Sequence, residues 1–119
     1  MNEININKLW SISKKHKECC LISKTIYHIS LLAYLTVVDY SHKHLRLSVQ
    51  NKIDVAFLYI QDLVEFLCNE EVLSQLEKDL LLKDYTQKSE EIKTILGCFV
   101  LLSRSCWKSG KKDQKCDLL

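Results

Sequence analysis

The residues with the most capacity for chemistry lie in two short runs, His16 with Cys19 and Cys20, and then His42 with His44. Imidazole and thiolate are the usual zinc donors, and on one helix face His16 reaches Cys19 and Cys20 at three and four residues' distance. His42 and His44 would complete the set if their loop folded back. Two features oppose such a site. The chain has no Cys-x2-Cys pair, and adjacent cysteines on a helix point about 100° apart. The simpler arrangement leaves His16, His42 and His44 in solvent and puts Cys19 in the core. No metal ligand and no cofactor is therefore assigned. A zinc-binding or redox-responsive protein built on these five residues stands as the alternative function.

Other chemistries fare worse. His28 is the one histidine inside an apolar segment, and a hydrogen bond to a neighbour is its default role. A general base would need a carboxylate such as Asp39, or a thiol, beside it. Asp62/Glu65, Glu70/Glu71, Glu77/Asp79 and Glu90/Glu91 pair carboxylates in sequence, but no glutamate has a histidine three residues on. That rules out the Glu-x-x-His pattern of a di-iron bundle and leaves solvated faces and helix starts. Phosphate-cradling loops, dinucleotide fingerprints and strained nucleophile turns all need clustered glycine. Only Gly97 and Gly110 are present. A reactive thiol wants an electropositive, partly exposed setting, which only Cys116 among the tail lysines offers. No catalytic residue is assigned, and the chain is not expected to be an enzyme.

Those residues must be held by something, and the composition says what. With no proline and two glycines in 119 residues, tight turns are scarce; average usage would supply about six prolines and about eight glycines. Long helices joined by short polar links follow, within a single domain large enough to bury a core. Six cysteines could suit a secreted disulfide framework, but Cys68, Cys98 and Cys106 fall in apolar helical patterns, where a free thiol acts as a small hydrophobe. The opening MNEININKLW lacks the basic start and apolar run of a signal peptide. An intracellular location, cytoplasm or nucleus, is expected.

The fold class is all-α, a compact bundle of four to five helices or, less compactly, helix pairs of the α-solenoid kind. Residues 1–107 form the domain and 108–119 a flexible tail. A weak amphipathic segment over residues 3–17 carries Ile6, Leu9 and Trp10. From Cys19, Ile22, Ile26, Ile29, Ala33 and Val37 repeat at three- and four-residue steps. The core of that helix, IYHISLLAYLTVV, is apolar almost all round but too short and too interrupted to span a membrane. Ser41–His44 is the predicted link. The helix over Val49–Leu67 has Gln50, Asp54, Gln61 and Glu65 on a narrow strip and is predicted to be the bundle's centre. Asn69 is the predicted N-cap of the next helix, with Glu70 and Glu71 in its first turn. Ser89-Glu90-Glu91 starts another, which runs to about Trp107 and carries Gly97 in a face where a close helix crossing would compensate its cost.

Charge is split along the chain. Residues 1–46 hold seven Lys/Arg and three Asp/Glu, and residues 47–107 hold six and ten. The halves attract one another within the fold. Arginine is the best reader of phosphate and guanine, and Arg46 and Arg104 are the only two; nucleic acid is not an expected partner. Large aromatics exceed what the main stripes need. Trp10, Tyr34, Tyr59, Phe66 and Trp107 are the candidate partner-binding residues. The function expected is a non-catalytic helical protein–protein interaction module, as an adaptor, regulator or complex subunit. Its partner would be another protein or, as a homodimer, itself.

Overall fold

Four of the five helices begin where a short polar side chain can occupy an unpaired backbone N–H. The computed structural model describes residues 4–108, with side chains to residue 102, and contains five helices and no strand among them. Asn5 caps α1 (Ile6–Cys20), its side-chain oxygen accepting from the amides of Asn7 and Lys8. Thr25 caps α2 (Ile26–Lys43) and Ser48 caps α3 (Val49–Asn69). Ser74 opens α4 (Gln75–Gln87) with a reciprocal capping box to Glu77. α5 (Ser89–Lys108) carries Glu90 and Glu91 in its first turn, where carboxylates suit the positive end of the helix dipole. The expected bundle is thus observed, with α5 starting at the predicted Ser89.

Several local boundaries differ from the sequence pattern. α1 runs through His16–Glu18 to Cys20, and α2 starts only at Ile26 because the Thr25 hydroxyl takes the His28 amide. Ile22, predicted in the second helix's apolar stripe, is 82% exposed in the link. Cys20, not Cys19, is the core cysteine. The predicted link at Ser41–His44 is mostly helix. The buried Ser41 hydroxyl accepts the Leu47 amide (2.9 Å) and folds the chain back only after Lys43. Asn69 ends α3 rather than capping α4, and the reversal is made at Glu71, whose φ of 64° is left-handed. No close crossing exists at Gly97, since a Cβ built there meets nothing within 4 Å. Trp107 as a contact residue and the tail beyond 108 lie outside the described side chains.

The centre of the bundle is α2, not α3. It packs against each of the other four helices, and none of its residues from Ile26 to Ser41 is exposed. α3 is wet on more than the predicted strip, because Asn51, Leu58 and Asp62 are exposed as well as Gln50, Asp54, Gln61 and Glu65. α4 doubles back along α3, joined by Lys78–Glu65 (2.7 Å) and by the Tyr85 hydroxyl donating to the Phe57 carbonyl (2.9 Å). α5 runs beside α2 in the same direction: Tyr27 donates to Glu91 (2.6 Å) and, seven residues on, the Tyr34 ring meets Phe99. Fully buried Leu9, Ile29, Leu32, Val37, Ile60, Leu63, Leu67, Ile92 and Leu96 form the core. Each such side chain contributes about 1.5–3 kcal/mol on burial. Within that core, the Ser13 hydroxyl shares 2.8 Å hydrogen bonds with Thr36 and with Tyr59, tying α1, α2 and α3 together at a fully buried polar point.

Candidate interaction surface

Successive residues on a helix turn by about 100°, so α2 can be divided by direction. Ile29, Ala33 and Val37 face inward and have no exposed surface. Thr36 and Asp39 mark the side turned to α1, through Ser13 and His16. Tyr27 and Tyr34 mark the side turned to α5, through Glu91 and Phe99. Opposite the core, between these flanks, stand Leu31, Leu35 and Val38 at spacings of four and three, all half-buried. His42 continues the strip at its exposed end. On α5, Ile95 and Leu102 lie seven residues apart on the side of Phe99 that turns toward α2, and Leu102 is 51% exposed. An outward helix face is ordinarily polar. Here the outward face of the most central helix is leucine and valine, partly exposed between the sides that meet α1 and α5.

The predicted contact aromatics are divided by the fold. Trp10 and Phe66 come together as a stacked pair, with centroids 5.0 Å apart at 12°, half-buried at the meeting of α1 and α3. The Lys14 ammonium lies 5.7 Å from the Trp10 ring. Each ring spends one face on the other. Tyr59 and Tyr34 are core residues. Tyr59 is fully buried on Ser13, and burial raises its phenol pKa, with the Ser13 hydrogen bond opposing. Tyr34 is packed on Phe99. Leu31, Leu35 and Val38 were missed as surface residues because an apolar run on a central helix carries no mark of which side stays uncovered.

The His/Cys residues are not gathered. His16 Nε2 lies 3.3 Å from Asp39, which also pairs with Lys43 at 3.2 Å. Burial raises the Asp39 pKa, but the hydrogen bonds and charges of His16 and Lys43 outweigh it and hold the carboxyl below its ordinary value. Cys19 points outward, whereas burial, with a smaller push from Cys19, raises the Cys20 thiol to about 11. His42 and His44 are exposed, and the His44 ring sits against Tyr40. Among the described residues no three His, Cys, Asp or Glu side chains are placed to hold a metal ion. His28 is only partly buried, and hydrogen-bonds to neighbours as expected, the hydroxyls of Ser23 and Thr25.

A second exposed apolar feature is Leu76 with Leu80 on α4. Leu80 borders a groove of about 290 Å³ between α4 and the start of α2, whose walls mix Lys24 and Lys88 with Glu77 and Asp84. Lys24 and Glu77 pair across it at 3.5 Å. No described helix is long and apolar enough to cross a membrane. Comparison with protein-family models, with curated proteins and with solved structures returned no match.

Proposed function

We propose that this chain is a non-catalytic interaction module that receives a helix of a partner protein along the outward face of α2. The observation that carries this reading is the half-buried Leu31–Leu35–Val38 strip on a helix covered on every other side. A strip one helix wide, set between α1 and α5, accepts a ridge of side chains. An amphipathic helix with apolar residues at three- and four-residue steps supplies such a ridge. Trp10 and Phe66 serve as a smaller neighbouring contact on α1 and α3. The reading includes an intracellular setting, in which Cys19 and Cys98, free and exposed, remain reduced.

The test is affinity capture with three forms of the full chain: wild type, Leu35→Glu and, as a control on α3's wet strip, Leu58→Glu. The proposal expects one protein held by wild type and Leu58→Glu and lost with Leu35→Glu, with all three forms monomeric by molar mass. Equal capture by all three removes the strip from the account. A wild-type dimer that Leu35→Glu dissociates would replace the partner with a second copy.

A further inference from the structure

We infer that the corner between α2 and α3 is a binding site for a single phosphoryl group, carried either by inorganic phosphate or by a small phosphate monoester. A cleft of about 90 Å³ opens there, lined by Ser41, His42, Arg46, Leu47 and Lys52. Every ionisable side chain on its walls is a base. Neither Arg46 nor Lys52 makes an ion pair with any described residue. The nearest acids along the chain are already engaged: Asp39 by His16 and Lys43, and Asp54 as acceptor from the Gln50 amide at 3.0 Å. Cationic groups gathered without a counter-charge repel one another, and an anion between them reverses the sign of each interaction.

The floor of the cleft adds a directed donor. Ser41 is only 7% exposed, and its oxygen accepts the Leu47 amide, which leaves its own O–H to donate. Arg46 offers a planar fork that matches two oxygens of a phosphoryl group, and Lys52 offers a point charge. The α3 dipole, with no acidic side chain in its first turn to neutralise it, adds to the same potential. A cleft of about 90 Å³ has room for one tetrahedral oxyanion. This site is separate from the strip on α2, and neither proposal depends on the other.

Amide NMR spectra of the full chain would be followed during titration with sodium phosphate, and separately with glycerol phosphate, against sodium chloride at matched ionic strength. The inference expects saturable shifts at Ser41, Leu47 and Lys52 with one or both phosphates and none with chloride. The double variant Arg46→Gln/Lys52→Gln, whose fold the same spectra verify, should bind roughly tenfold more weakly. Tighter binding of glycerol phosphate assigns the site to monoesters; equal or weaker binding assigns it to inorganic phosphate. Non-saturating shifts that chloride reproduces would overturn the inference. So would unchanged affinity in the double variant.

Discussion

Along the inward face of α2, Ile29, Ala33 and Val37 have no exposed surface, while Leu31, Leu35 and Val38 on the outward face of the same helix stay half-buried. The side-chain chemistry is the same on both faces, and the surroundings differ. Inside, α1, α3 and α5 supply atoms on every side, and even the polar Thr36 is satisfied by Ser13. Outside, α1 and α5 stand alongside, and no other described helix lies across. Apolar character inside is therefore accounted for by folding. Outside it is not, and the proposed association with a partner helix would account for it.

The largest effect that sharpens this contrast is truncation inside. Ile29→Ala should destabilise the fold by about 2–5 kcal/mol, because the close-packed core collapses only in part around the void. Leu35→Ala should cost less, about 1 kcal/mol, since part of that side chain stays in solvent in the folded state. Paired urea denaturation curves check both, and equal losses would erase the distinction between the faces.

Next is the polar point that fixes three helices in register. Tyr59→Phe leaves Ser13 with Thr36 alone, and the loss should be about 1–2 kcal/mol in the same assay. A neutral result would mean that the buried hydroxyls are exchanged for packing without cost.

Asp39 lies at the boundary between the faces and gives a smaller, pH-dependent term. Its folded carboxyl titrates below its unfolded value, so the stabilisation is fully present above about pH 4. It is lost as pH falls through the lower folded value. The stability gap between wild type and Asp39→Asn, followed from about pH 7 down into the acid range, should narrow as the carboxyl is protonated. A gap that persists there would separate Asp39 from its His16 and Lys43 pairing.

The smallest change concerns α5. Gly97→Ala meets open space and should raise stability by up to about 1 kcal/mol through helix propensity alone. Destabilisation would reveal a contact that the geometry does not contain.

Much of the architecture was legible in the sequence. Missing prolines, scarce glycines and three-four spacing specify helices, and Ser89 with two glutamates marks a real start. The link positions were less legible because capping is a competition between side chains. Asn69 and Ser74 both suit an N-cap, and only Ser74 has Glu77 three residues on to close the box. α3 reads as the centre from its four-residue polar strip, but exposed Asn51 and Asp62 widen its wet face. α2's all-round apolarity was the better sign of centrality. For the contact aromatics, Trp10 and Phe66 do share a surface, but Tyr59 and Tyr34 show the ambiguity of tyrosine. A phenol can end a core side chain on a buried hydroxyl as readily as it can meet a partner. The strip itself depends on which described helices flank it, and periodicity within one helix does not encode that.

Site-specific photo-crosslinking is the most direct measurement of the outward face of α2. A photoreactive phenylalanine placed at position 35, and in a second form at position 58, would be activated in cells expressing the full chain. The account predicts one defined protein adduct from position 35, with a heavier band of reproducible mass, and none of it from position 58. The same adduct from both positions, or none from position 35 while the chain is folded, would contradict it.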